Sequence, residues 1–112
     1  MNDADMELAL MQSNMGMFIN MGQCCFAGTR LFVHEQIYDE SVERSVAAAK
    51  SAVMGDPLEP TTSQGPQINE TQANRIKGYI QKGKDEGAKL LAGGGRPDRK
   101  GYFVEQTVFA DV

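Results

Sequence analysis

Leu8, Met11, Met15 and Phe18 recur at intervals of three and four residues, the spacing that lines one face of a helix. Asn2-Asp3-Ala4-Asp5 precedes them and supplies cap-forming side chains, with acids at the positive end of the helix dipole. A first helix is predicted from this stretch, with Leu8, Met11, Met15 and Phe18 as its inner stripe and Gly22 as its left-handed end. Thr29-Arg30-Leu31-Phe32-Val33 is β-branched and aromatic and reads as a short strand. A second helix is predicted over 38–54, with Val42, Val46, Ala49 and Val53 inside and Glu40, Glu43, Arg44 and Lys50 outside. Gly55-Asp56-Pro57 stops it. The aperiodic residues 55–68 hold three prolines and read as a long surface connection.

Asn69 caps a third helix, with Gln72 three residues on to close a capping box and Ala73, Ile76 and Ile80 on its inner face. Gly78 and Gly83 weaken that helix. Residues 88–92 read as a strand, Gly93-Gly94-Gly95 as a tight turn, and Tyr102-Phe103-Val104 with Thr107-Val108-Phe109 as a further strand. Helices interleaved with strands predict an α/β unit on a largely parallel sheet, incomplete at this length. With two or three strands and three helices, the chain is expected to be cut from something larger.

Composition narrows the function classes. Of 112 residues, 41% are hydrophobic, as in a folded domain. The net charge is −4 and the 11 Lys and Arg are scattered, which argues against a nucleic-acid surface. No apolar run reaches the roughly 18 residues of a membrane span, and no secretory or mitochondrial presequence is expected within residues 1–20, which carry three acids and no base. Six of the seven methionines fall between Met1 and Met21, which favours a core filled by flexible side chains over a binding surface.

Both cysteines, Cys24 and Cys25, are adjacent. Neighbouring Cα atoms lie ~3.8 Å apart, below the usual disulfide range, and His34 is the only other soft metal ligand, so neither a disulfide nor a zinc site is expected. Two unpaired thiols fit a reducing compartment. Either both are buried bystanders, or one is a working thiolate beside a passive neighbour. Gly22 before the pair and Ala27-Gly28 after it allow a sharp turn that would present a sulfur together with its own amide.

Phe18-x-x-x-Gly22-Gln23-x-Cys25-x-Ala27-Gly28 resembles the active-site cysteine signature of the NAD(P)-dependent aldehyde dehydrogenase superfamily. The similarity continues through Asp3-Ala4-Asp5-Met6, Ile37-Tyr38-Asp39-Glu40, Gly55-Asp56-Pro57-Leu58, Gln64-Gly65-Pro66-Gln67, Gly87-Ala88-Lys89-Leu90, Gly93-Gly94-Gly95, Gly101-Tyr102-Phe103-Val104 and Thr107-Val108-Phe109. It is strongest toward the tetrameric cytosolic and mitochondrial members.

The resemblance implies that residues 1–112 are part of the catalytic domain, with a nucleophile loop at 18–30 and the cofactor domain largely absent. It implies that Cys25 attacks an aldehyde, that Phe18, Ile19, Cys24 and Phe26 line the substrate passage, and that Gln72 and Arg75 lie near the nicotinamide ribose of NAD or NADP. Gln23 is expected to orient the loop. Family members form a thiohemiacetal, pass its hydride to the nicotinamide ring and hydrolyse the resulting thioester. The glutamate base and asparagine oxyanion donor of the family are expected before Met1, which itself matches an internal methionine. A second glutamate and the oligomerisation strand are expected beyond Val112. Ile19, Arg75 and Gln106 depart from the residues most relatives carry. A small aldehyde substrate, a homotetramer, and a cytoplasmic or mitochondrial-matrix rather than secreted location follow from the same resemblance, with no metal, membrane or nucleic-acid partner. Two rival readings are a truncated, non-catalytic structural or interaction protein that keeps the fold, and a thiol esterase pairing Cys25 with His34.

Overall fold

Asp5 opens the first helix. In the computed structural model of the chain, which describes residues 3–112, its carboxylate accepts the Leu8 N–H at 3.0 Å and starts α1 (Met6–Phe18). The cap therefore falls on the last of the predicted residues, and Asn2 and Met1 lie outside the described residues. A second helix, α2 (Tyr38–Lys50), follows a 3-10 turn at Glu35–Ile37, and a third, α3 (Glu70–Asp85), is capped by the Asn69 side chain. Strands β1 (Lys89–Ala92) and β2 (Val108–Ala110) complete the order.

The core gathers on α3. Ala73 and Ile80 are buried against Val104, with Ile76 and Phe109 packed around them. This is the inner face the helical spacing predicts, and nearly complete burial of Ile80 and Val104 stabilises the fold by up to about 1.5–3 kcal/mol each. Helix α2 also keeps its predicted orientation: Ala49 is buried, Val42 and Val46 are half-buried, and the four charged residues named for its outer face are exposed. It ends at Lys50 rather than Met54 because the backbone beyond is used elsewhere. The Val53 carbonyl accepts from the Ser63 and Gln64 amides, and Met54 forms a parallel bridge with Gln64. Val53, assigned to the inner stripe, is consequently exposed.

Helix α1 departs most from expectation. No residue of α1 is buried, and Leu8, Met11 and Met15 are each at least half exposed. Residues 29–33, predicted as a strand, run extended with no strand partner among the described residues, and Phe32 is 92% exposed. Both correct the sequence reading for the same reason: an apolar stripe or a strand shows what a segment can pack against, and here α2 covers α1 only in part while residues 29–33 have no ladder partner among the described residues.

The α/β character holds, but the described ladder is antiparallel: Lys89 faces Ala110, Leu90 faces Phe109 and Ala92 faces Val108, with an irregularity between Leu90 and Ala92. Parallel pairing among the described residues is limited to the Met54–Gln64 bridge. The predicted strand at 102–109 shrinks to Val108–Ala110 because the preceding backbone bonds to loops. Tyr102 O accepts from Gln67 N, Val104 O from the Gln64 side chain, and the Glu105 amide donates to Gly95 O.

Gly93 and Gly94 have left-handed φ of 66° and 85°, as a tight turn requires. A Cβ on Gly93 would land on the carbonyl oxygen of Gln106. The amides of Gly94 and Gly95 donate to Thr107 Oγ1 and Glu105 Oε2, both at 3.0 Å, so these glycines serve the turn and not a phosphate. Gly93→Ala is expected to destabilise the chain by about 2 kcal/mol or more, read by chemical denaturation.

Asp111 ties the sheet to α2. Its carboxylate accepts from Tyr38 Oη at 2.5 Å and pairs with Lys89 Nζ at 2.6 Å, while its amide donates to Tyr38 Oη at 3.2 Å. The hydrogen bond from Lys89, then that from Tyr38, holds the Asp111 carboxyl below its ordinary 3.8. Bonding to Asp111 raises Tyr38 and Lys89 above 10.0 and 10.5. A depressed carboxyl stabilises the fold above its ordinary value and loses that contribution as pH falls through the depressed one. Raised Tyr and Lys values act at the opposite end, their contribution fading as pH climbs through them. Asp111→Asn is therefore expected to lower the thermal midpoint at pH 7, with the gap from the parent chain closing as pH drops below 3.8.

Candidate active site

Leaving α1, the backbone turns left-handed for three residues. Within the 3-10 turn Ile19–Gly22, φ is 49° at Asn20, 57° at Met21 and 73° at Gly22. Glycine accepts this geometry without penalty and asparagine tolerates it, whereas methionine pays roughly 1–2 kcal/mol. Gly22 thus has the predicted conformation, but α1 has already ended at Phe18, four residues earlier.

Local and distant bonds hold the turn. The Gln23 amide donates to Asn20 O at 3.0 Å and Asn20 Nδ2 to Gln23 O at 3.1 Å. From the far side, the Ile68 amide donates to Gln23 Oε1 at 3.0 Å, and Gln67 Nε2 donates to Met21 O at 3.2 Å. Gln23 is thus bonded both within the turn and to the residue before the α3 cap. Gln67 and Ile68 were not singled out from sequence, because their partners stand some 45 positions away and no local spacing encodes that contact.

Immediately after this turn comes a second. The Ala27 amide donates to Cys24 O at 3.1 Å, closing a β-turn with Cys25 and Phe26 at its two central positions. The Gly28 amide then donates to Gly16 O at 3.2 Å and fastens the turn to α1. Cys25 is exposed and Cys24 half-buried. Among the described residues the Cys25 amide has no acceptor, so it is available to a ligand.

Two open hollows flank the region. The larger, of about 1170 Å³, lies between α1, residues 28–33, α2 and β2, and Phe18 and Phe26 are on its wall. The smaller, of about 470 Å³, runs along α3 and brings together Phe18, Gly22, Gln67 and Arg75. Ile19, Cys24, Cys25 and Gln72 line neither. Phe18 and Phe26 thus line one hollow together, whereas Cys25 lines neither.

Gln72 and Arg75 lie at the start of α3. Gln72 is half-buried, and its amide donates to Asn69 Oδ1 at 2.9 Å, the first half of the capping box. The returning bond from its side chain is absent among the described residues, which leaves that carboxamide available. Arg75 is exposed at the rim of the smaller hollow. The oxygens Gln64 Oε1, Gln67 Oε1 and Gln106 Oε1 are buried with no partner among the described residues, and all three glutamines line the same hollow. In Gln64 and Gln67 the amide nitrogen already donates to a carbonyl, which fixes the orientation of each group. An acceptor left so costs about 1–3 kcal/mol. His34 is exposed, and its Nδ1 accepts the Gln36 amide at 3.2 Å, so it caps the Glu35–Ile37 turn. No group of metal-ligating side chains is present among the described residues, and no helix there is long and apolar enough to cross a membrane.

A profile of the Aldehyde dehydrogenase family matches residues 1–112. The chain is 59% identical over 112 residues to the mitochondrial aldehyde dehydrogenase of Homo sapiens and 54% identical over 110 residues to Retinal dehydrogenase 2 of the same species. The first match covers 100% of this chain and 22% of the relative, the second 98% and 21%. Among solved structures, the NAD+ complex of an aldehyde dehydrogenase from Bacillus cereus superposes with a TM-score of 0.97 at 43% identity, over 100% of this chain and 23% of that one. The chain thus spans about a fifth of the length of the relatives it matches. Matched along its full length in sequence and in fold, the chain belongs to the aldehyde dehydrogenase family.

Proposed function

We propose that this chain supplies the nucleophile segment of an NAD(P)-dependent aldehyde dehydrogenase, with Cys25 as the attacking thiol. One observation carries the reading: of two adjacent thiols, Cys25 is exposed at the centre of a turn with its own amide unspent, while Cys24 is half-buried. Sulfur and amide on one residue suit attack on a carbonyl, since the nucleophile adds to carbon while an N–H meets the oxygen that gains charge.

The Cys25 thiolate forms a C–S bond to the aldehyde carbon, and the carbonyl π pair moves to oxygen, where the Cys25 N–H donates to it. Bound NAD(P) supplies the acceptor for the hydride that then leaves that carbon with its electron pair. The carbonyl re-forms as a thioester on Cys25. Water cleaves the C–S bond, releasing the carboxylic acid and returning the thiol. Phe18 and Ile19 before the turn, and Cys24 and Phe26 within it, would meet the body of a small aldehyde. The Gln72 carboxamide, both donor and acceptor, and the Arg75 guanidinium fit the hydroxyls of a ribose. The named relatives are aldehyde and retinal dehydrogenases, one of them mitochondrial, which supports a mitochondrial-matrix or cytoplasmic setting.

This segment is proposed to act within a longer catalytic chain that forms a homotetramer. The share of the relatives it spans, the exposed stripe of α1 and the three unpartnered glutamine oxygens all support that view. Each is a surface or group that added chain would cover or satisfy. The 112 residues alone are expected to give no NAD-dependent aldehyde oxidation. In the holoenzyme carrying the segment, Cys25→Ser is expected to reduce steady-state aldehyde oxidation by about a thousandfold or more, and Cys24→Ser by less than about tenfold. Equal rates for Cys25→Ser and the parent would remove the catalytic role and favour a structural protein that keeps the fold.

A further inference from the structure

The nucleophile turn and the lead-in to α3 are joined by two glutamines that reach across in opposite directions. Gln23 leaves the turn and accepts the Ile68 amide at 3.0 Å; Gln67, next to Ile68, donates back to Met21 O at 3.2 Å, two residues before Gln23. The Gln67 amide is itself anchored, donating to Tyr102 O at 2.9 Å beside the buried Phe103 and Val104. One end of the clasp is thus fixed to the core and the other to a backbone that is left-handed at two non-glycine residues.

We propose that Gln23 and Gln67 are positioning residues: their reciprocal clasp sets the presentation of Cys25 over Cys24 and couples that turn to the start of α3. The coupling to a cofactor rests on the reading of Cys25, Gln72 and Arg75 given above; the clasp and its effect on the two thiols do not. The path is short. Ile68 precedes the cap Asn69, whose side chain holds the Gln72 amide, so a displacement of the first turn of α3 is felt at Gln23 through one peptide unit. On the other side, Gln23 is bonded to Cys24, whose carbonyl closes the turn that carries Cys25. The Gln23 side chain gives the Ile68 amide its acceptor, and without it that exposed amide turns to water and the two segments lose this tie.

The test uses the holoenzyme carrying the segment and iodoacetamide, with alkylation of the two thiols resolved by peptide mass spectrometry. In the parent chain Cys25 is expected to react at least about fivefold faster than Cys24, as exposure dictates. Gln23→Ala is expected to bring the ratio down to within about twofold of unity and to abolish hydrogen-exchange protection of the Ile68 amide, while the Ala73 and Ile80 amides stay protected. Gln23→Glu, which keeps an acceptor for Ile68, is expected to retain both the ratio and the protection. Gln67→Met, which removes the bond to Met21, is expected to lower the ratio as Gln23→Ala does. An unchanged ratio in Gln23→Ala overturns the proposal. So does an equal fall in Gln23→Glu, or a fall accompanied by loss of protection at Ala73 and Ile80, which would mark a general role in folding. Alkylation is independent of aldehyde turnover. Full activity of Cys25→Ser would therefore refute the catalytic reading and leave the clasp standing, and an unchanged ratio would do the reverse.

Discussion

Three consecutive left-handed residues, Asn20, Met21 and Gly22, decide where the thiols of this chain can stand. Had the helical dihedrals of α1 continued past Phe18, Cys24 and Cys25 would lie on successive helical positions, about 100° apart around its axis, with their amides committed to carbonyls four residues back. Reversing the sign of φ ends that commitment. It frees the amide of Cys25, puts the sulfur on a turn, and leaves backbone groups that must find partners elsewhere. Gln67 supplies one for Met21 O and Asn20 Nδ2 one for Gln23 O, while Gly16 takes the amide of Gly28. Local strain at the site is thus held by contacts to a segment some 45 residues distant, a common pattern where a reactive group must be presented in one orientation.

That distant segment is also where the core sits. Ala73, Ile80 and Val104 form a small buried cluster, and the clasp connects to it through Gln67 and Tyr102. The rest of the apolar surface is open: Leu8, Met11 and Met15 on α1, Leu31 and Phe32 on the extended stretch, and Leu58 and Ile68 on the long connection. Singly exposed apolar residues are ordinary, but a contiguous apolar face marks a surface that something covers. The relatives it matches are about five times this length, and under the function proposed above the occupant is more of the same catalytic chain.

Elements that depend on local chemistry were legible in the sequence. The acids before α1, the Asn69 cap, the Ala73–Ile76–Ile80 face of α3 and the turn at Gly93 and Gly94 all act within a few residues, and the structure has them where the spacing predicts. Elements that depend on a partner were not. The strand propensity of 29–33 yields no ladder without a neighbour, and the apolar spacing of α1 yields no burial without a facing wall. The strand predicted at 102–109 lost its first part to the loops at 64–67 and 95, which no periodicity could reveal. For the site, the signature around Cys25 was readable through family resemblance, while the glutamine clasp was not, because hydrogen bonds between distant segments leave no spacing in the chain.

The position of Cys25 outside both hollows bears on how the chemistry would be completed. A thiolate on an exposed turn attacks in water, where its charge is well solvated and an amide donor is worth little. Covering the turn changes both quantities in the same direction: it strips solvent from the sulfur and raises the value of the one amide aimed at the oxygen. The hollows on either side already hold walls for such a cover, with Phe18 shared between them, Phe26 on the substrate side and Arg75 on the α3 side. On the function proposed above, the segment contributes the nucleophile, one donor and the strained turn that orients them. Whatever closes over that turn must bring the dry environment and the remaining proton-handling groups.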